Sequence, residues 1–464
     1  MVFSSLEFLF RFLPAILLLY FIAPRRLKNP ILLVGSLFFY AWGEPVFVVL
    51  MVLSSAINYF LALWIDKFRG SARSGYALAA SVVVSLALLG FFKYADLLVD
   101  TVNSGFGSDF SPLDLPLPIG ISFYTFQILS YTIDVYKDRV PVQRNPISLA
   151  MYIALFPQLI AGPIVRYRSV ASAIDNRTHS LEMFSDGVHR FVIGLAKKVL
   201  IANNIGLLWD SAVTTSEPSV MLAWLGIAAF SFQIYFDFSG YSDMAIGLGR
   251  MLGFRYPENF NYPYISQSVT EFWRRWHMSL GQWFRDYLYI PLGGNRVSRL
   301  MWVRNVLIVW FLTGLWHGAS WNFAIWGLYF GVLLLIERVF LATLLERIPR
   351  PFRHAYLLLV VLIGWTIFQL GSPGEILSYL GDMFGLTGID LANNEAWFLL
   401  RSNIVLLVLA TAGSIPLFAK LYERTLPRLT VRTFVMPSYY AGLLLVSTAY
   451  LVDSSFNPFL YFRF

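Results

Sequence analysis

Trp316-His317-Gly318-Ala319-Ser320-Trp321-Asn322-Phe323 joins two apolar segments, 301–316 and 320–341, and His317 is the sole Asp, Glu, Lys, Arg or His from Asn305 to Leu335. A hydrocarbon core of about 30 Å takes roughly 20 helical residues to cross. A segment inside it must also satisfy its own backbone polar groups, which a helix does. The stretch therefore reads as the turn of a membrane hairpin. Imidazole is costly to bury near hydrocarbon, so a lone intramembrane histidine marks a functional site. Gly318, Ala319 and Ser320 permit close approach of a helix or a substrate. A neutral imidazole, with an ordinary pKa near 6.5, accepts a proton from a hydroxyl. His317 is the candidate general base.

The rest of the chain supports the same class. Apolar residues make up 57%, aromatic residues 17% and charged residues only 13%, which leaves too little polarity for a soluble surface. Hydropathy places spans near 6–24, 31–42, 45–64, 76–97, 118–135, 187–208, 219–249, 301–316, 320–341, 354–371, 403–420 and 437–453, about twelve in all. The fold class expected is all-α integral membrane, one domain over 1–464, with the catalytic core in 235–323. The first span carries no basic residues before it, and Arg25, Arg26 and Lys28 follow, so it reads as retained rather than cleaved. Those residues, with Lys67, Arg69 and Arg73, mark cytoplasmic loops, while the connections at 100–118 and 210–218 carry only acidic charges. Both termini are then expected outside. Basic clusters flank 147–164 and 269–294 on one side, which implies that these two segments are re-entrant. The stretch 371–401 is amphipathic and outward, placed to lie on the bilayer surface or meet a partner. There is no cysteine, so disulfide and thiolate chemistry are excluded. A net charge of +8 is accounted for by the cytoplasmic loops, and no nucleic-acid partner is needed.

Two further motifs precede the hairpin. Glu271-Phe-Trp-Arg274-Arg275-Trp-His277 through Arg285 to Gly294 interleaves aromatics with charge. It suits either an interfacial anchor or a cationic entrance for a phosphate-bearing cytosolic donor, in which Arg274, Arg275, Arg285 and Arg296 supply charge-assisted bonds and His277 sits just inside the mouth. Upstream, Gln233 to Asp243 puts Asp237 and Asp243 on a predicted span, where they either satisfy arginine or backbone groups at helix breaks near Gly240 or contact substrate. His179, His189 and His354 lie near basic boundaries and read as solvated. The scattered histidines make no metal site.

The run 235–295, the WHGASWNF stretch and the opening MVFSSLEFLFRFLP with its following FFYAWGEP resemble the membrane-bound O-acyltransferase family. Within it they are most similar to the bacterial branch that O-acetylates alginate, peptidoglycan and exopolysaccharides. The resemblance implies that His317 is the catalytic histidine and His277 the second active-site position. It also implies a helical ring around a transmembrane tunnel, acetyl-CoA as a cytosolic co-substrate with no bound cofactor, and acyl leaving toward the exterior of a bacterial inner membrane. Expected partners are a periplasmic SGNH-type acetyltransferase or polysaccharide-export proteins. Ser320, Trp321 and Asn322 are candidate oxyanion donors. The C-terminal 453–464, with its aromatic residues, reads either as another interfacial aromatic belt or, if the tail folds into the outer mouth, as the bearer of a candidate acyl carrier, Tyr461. D-alanyl transfer to teichoic acid is the alternative within the enzyme class. A secondary transporter and a non-catalytic scaffold are the alternatives outside it.

Overall fold

The structure, a computed structural model, describes residues 1–425 and 434–453 and is built from helices, with no strand among the described residues. Seven of these helices are long and apolar enough to cross a membrane: Phe47–Lys67, Ala72–Phe106, Leu181–Val213, Val220–Met251, Arg299–His317, Trp321–Arg347 and Arg350–Gln369. Asn394–Ser402 and Ile404–Gly413, bent by 58°, make an eighth if they count as one span. The hydropathy count of about twelve is higher because composition does not report helix length. Lys28–Ala41 has 14 residues and Ile121–Tyr136 has 16. At 1.5 Å per residue they reach only about 21 and 24 Å, short of a typical hydrocarbon core. Met436–Asp453 is longer, but Ser438, Tyr439, Tyr440 and Tyr450 dilute its hydropathy.

The chain divides into two compact units, Met1–Phe191 with Ser242–Glu258, and Val192–Tyr241 with Asn259–Phe464. In the first unit, Ser74, Ala77, Ser81 and Ser85 are buried along one stripe of the Ala72–Phe106 helix. Their small side chains admit close neighbours, and their hydroxyls hydrogen-bond across helices. Ser81 Oγ donates to Asn58 Oδ1 at 2.6 Å and to Thr132 Oγ1 at 3.1 Å, joining Phe47–Lys67, Ala72–Phe106 and Ile121–Tyr136. The first of the two segments expected to be re-entrant, 147–164, is a broken pair, Pro146–Ala154 and Phe156–Leu159, buried from Ser148 to Arg166 with one exception at residue 150. Its free backbone groups find partners: Phe156 N–H donates to Ser36 Oγ at 3.1 Å, and Asn145 Oδ1 caps the first turn from Ile147 N–H at 3.0 Å.

The second unit is organised around the hairpin. Arg299–His317 and Trp321–Arg347 pack through glycines: a Cβ on Gly314 would lie 2.1 Å from the Phe323 carbonyl oxygen, and one on Gly327 2.2 Å from that of Trp310. Only glycine permits backbones this close. The stretch expected to lie outside, 371–401, folds as Pro373–Met383, started by a Ser372/Glu375 capping box, and Asn394–Ser402. It is fastened to the start of Val220–Met251 by Val220 N–H to Asp390 O at 3.0 Å and Tyr379 OH to Ala223 O at 2.8 Å. The expected helix break near Gly240 is absent, since Val220–Met251 runs unbroken through it. Gly240 instead serves packing, because a Cβ there would lie 2.8 Å from the Gly194 carbonyl oxygen.

Candidate active site

His317 is the last residue of its helix, which stops because Gly318 turns to extended backbone at φ −162°. Its Nδ1 lies 2.7 Å from the Thr313 carbonyl oxygen one turn earlier. A carbonyl only accepts, so Nδ1 carries the proton and the Nε2 of the neutral ring carries the lone pair. The ring is buried among Trp326 at 4.9 Å, Trp316 at 5.1 Å and Phe368 at 5.7 Å between centroids.

His277 is placed by a break between two short helices, Val269–Arg275 and Met278–Phe284. Its backbone is left-handed at φ 42°, a conformation that costs a non-glycine residue and persists only where neighbours hold it. Asn259 holds it. The Asn259 carbonyl accepts from Met278 N–H at 2.9 Å, and its Oδ1 receives Ser279 N–H at 3.3 Å, Ser279 Oγ at 2.8 Å and His277 Nδ1 at 3.0 Å. The His277 ring, 2% exposed, packs edge-on to Phe238 at 4.7 Å and lies 5.9 Å from Trp316. His277 belongs to none of the candidate spans. Burial first, and the nearby His317 second, push its pKa well below the ordinary histidine value, so the ring is neutral.

The start of Val269–Arg275 is anchored from another helix. Glu337, 2% exposed, accepts Val269 N–H at 2.6 Å, Thr270 N–H at 2.9 Å, Thr270 Oγ1 at 2.8 Å and Tyr356 OH at 3.3 Å. A carboxylate at a helix N-terminus satisfies donors that the helix itself leaves open. Ser268 Oγ adds the usual cap, receiving Glu271 N–H at 3.0 Å.

Both histidines line one cavity of about 890 Å³ within the second unit. Trp302, Val306, Val309, Trp310, Thr313 and His317 of one helix line it. That stretch spans roughly 22 Å at 1.5 Å per residue. Arg338 stands over Trp302 at 5.2 Å, so a cation lies at the end away from His317. Arg274, Arg285 and Arg353 also line the cavity, as do the carboxylates of Glu271, Glu337 and Glu346. Arg285 is paired with Asp286 at 2.8 Å.

Of the residues singled out from sequence, His317, His277, Arg274 and Arg285 thus come together. Arg275 turns to Glu271 at 3.0 Å and to the Asn261 carbonyl at 3.1 Å, and it is not on the cavity wall. Ser320 donates to Asn322, whose Nδ2 donates to Phe368 O at 3.2 Å; neither they nor the half-exposed Trp321 lines the cavity. Asp237 forms an ion pair with Lys198 at 2.6 Å, both 2% exposed, again off the wall. In the first unit, Asp243 is held by Arg190 Nε at 2.7 Å, and Arg190 also reaches Glu258 at 2.6 Å. His179 is not simply solvated, since its Nε2 meets Tyr20 OH at 2.8 Å. Tyr461 lies outside the described residues. Sequence reasoning missed Asn259, Glu337, Arg338 and Arg353. Glu337 carried the one available signal, a carboxylate directly after an apolar run.

Residues 121–380 match the model of MBOAT, the membrane-bound O-acyltransferase family, which covers more than half of the chain. The chain belongs to the membrane-bound O-acyltransferase family. It is 41% identical to the probable alginate O-acetylase of Azotobacter vinelandii over the whole of both chains. It is 36% identical to the peptidoglycan O-acetyltransferase of Helicobacter pylori, covering 85% of this chain and 81% of that one. It is 30% identical to the teichoic acid D-alanyltransferase of Bacillus subtilis, over 59% of this chain and 71% of that protein. As a membrane-bound O-acyltransferase, the chain is a multi-pass membrane enzyme that moves an acyl group to oxygen.

Proposed function

We propose that the chain takes acetyl from cytosolic acetyl-CoA and passes it across a bacterial inner membrane for O-acetylation of a cell-surface or secreted polysaccharide, alginate-like or peptidoglycan. The observation that carries this reading is one cavity with His317 and His277 both on its wall and a cation, Arg338, at the end away from His317. A cleft of roughly 22 Å along one helix suits an extended phosphopantetheine arm. Arg338, Arg353, Arg274 and Arg285 would meet the donor's phosphates, and the thioester would reach the histidines. The alginate and peptidoglycan relatives align over more of the chain than the D-alanyl relatives do, which favours acetyl over D-alanyl.

An acetyl thioester needs a positioned hydroxyl, a base and exclusion of water. The acceptor oxygen attacks the thioester carbonyl as His317 Nε2 takes the hydroxyl proton. The tetrahedral adduct then expels the CoA sulfur, which leaves with that proton. The products are an ester and free CoA thiol, so atoms and charge balance. His277 Nε2, a second lone pair on the same wall, accepts from and orients the acceptor. The acyl group leaves outward through a tunnel within a ring of about twelve crossings, the shorter helices spanning locally thinned bilayer. A periplasmic transferase makes the final ester, and Tyr461 is the proposed carrier between the two. Restoring polymer acetylation in a strain lacking the chain tests the reading. Wild type should restore it and His317→Ala should not; restoration by both would remove His317 from the reaction.

A further inference from the structure

We propose that Asn259 is the positioning residue that aims His277, a role that rests on the reading of His277 as an active-site group. The Ser279 backbone N–H points at the Asn259 side-chain oxygen at 3.3 Å, and a backbone N–H only donates, so that atom is the carbonyl oxygen of the amide. His277 Nδ1, 3.0 Å from the same oxygen, must then be the protonated nitrogen. The lone pair of the neutral ring is thereby forced onto Nε2. That Nε2 is buried without a hydrogen-bond partner, on a ring that lines the cavity. A buried acceptor left unpaired costs about 1–3 kcal/mol, and a substrate hydroxyl recovers it.

One asparagine thus holds three things. Its backbone carbonyl pins the left-handed turn at Met278 N–H, its amide oxygen selects the tautomer, and the same bond fixes the ring plane against Phe238. Thr313 imposes the same tautomer on His317 through a carbonyl, so the cavity carries two Nε2 lone pairs. At Nε2, two neutral histidines accept protons and supply none until one of them is charged.

The experiment compares Asn259→Ala, Asn259→Asp and His277→Ala by the pH dependence of acetyl transfer from acetyl-CoA in the full-length protein. Asn259→Asp is isosteric, keeps an acceptor oxygen on Nδ1 and so preserves the fold. Its carboxylate favours the imidazolium, so the neutral base survives only at higher pH and the acidic limb should rise by about one to three pH units. The other charged groups on the wall are unchanged: His317, Glu271, Arg274 and Arg285 near the turn, and Glu337, Arg338, Glu346 and Arg353 on the other elements. Asn259→Ala should lower kcat roughly 100-fold through loss of the tautomer while KM for acetyl-CoA stays within about twofold. An unshifted limb in Asn259→Asp, with His277→Ala strongly impaired, overturns the role of Asn259 alone. Full activity in His277→Ala overturns the reading of His277 and the role of Asn259 with it.

Discussion

The Glu337 carboxylate accepts the Val269 backbone N–H at 2.6 Å, tying the Trp321–Arg347 helix to the short helix that leads into His277. The two histidines are therefore connected through protein on both sides: His317 by the hairpin turn to the helix that bears Glu337, and His277 by the segment that Glu337 caps. Glu337→Ala leaves the buried Val269 N–H and the partly buried Thr270 donors without that partner, at about 1–3 kcal/mol. Thermal unfolding in detergent should show the loss, and acyl transfer should fall with it. Glu337→Gln retains one acceptor oxygen and should lie between wild type and alanine. Equal stability of all three would contradict the anchoring role.

Gly314→Ala places a methyl 2.1 Å from the Phe323 carbonyl, and backbone cannot yield as a flexible side chain can. The hairpin must separate one turn before His317, at a cost of about 1–3 kcal/mol or more. Gly90→Ala, where nothing lies within 4 Å, is the matched control and should be neutral or slightly stabilising through helix propensity. The comparison is read by melting temperature and by activity at a temperature where both variants are folded.

Lys198 and Asp237 form a pair at 2.6 Å that is almost wholly withdrawn from solvent. Lys198→Met or Asp237→Leu alone strands a buried charge, which costs about 3–5 kcal/mol, whereas the double substitution removes both charges and should recover much of the loss. A double-mutant cycle on unfolding in detergent measures this. If Asp237→Leu folds as wild type yet abolishes transfer, Asp237 acts on substrate instead.

If the cavity holds the donor as proposed, Arg338→Ala, at the end away from His317, should raise KM for acetyl-CoA several-fold and leave kcat nearly unchanged, and Arg353→Ala on the same wall should act in the same direction. Raising ionic strength should weaken donor binding in the same direction, since Arg338 is exposed and screened. A fall in kcat with KM unaltered would place these arginines elsewhere in the reaction.

Much of this arrangement is legible in the residues alone. The isolation of His317 between apolar runs, and the aromatic and basic interleaving around His277, follow from composition in a bilayer, where each charge must have a reason. Asn259 is not legible, because it lies 18 residues before His277 in an irregular loop and acts through hydrogen bonds that no periodicity reports. Glu337 looks like a polar flank of a span, and only the packed structure turns it inward as a cap. Gly240 was misleading for the opposite reason: glycine weakens a helix locally, but tight packing against Gly194 repays the loss and keeps the helix whole. Span number is the least legible feature, since a 14-residue helix and a 20-residue one have similar hydropathy and differ only in reach.

The central claim is that His317 performs acyl transfer from a CoA thioester. Purified protein in nanodiscs, given acetyl-labelled CoA, should release free thiol and transfer label to an acceptor, and His317→Ala should reduce both by about 10²- to 10⁴-fold while remaining folded. Thiol release and label transfer at wild-type rates in His317→Ala would contradict it.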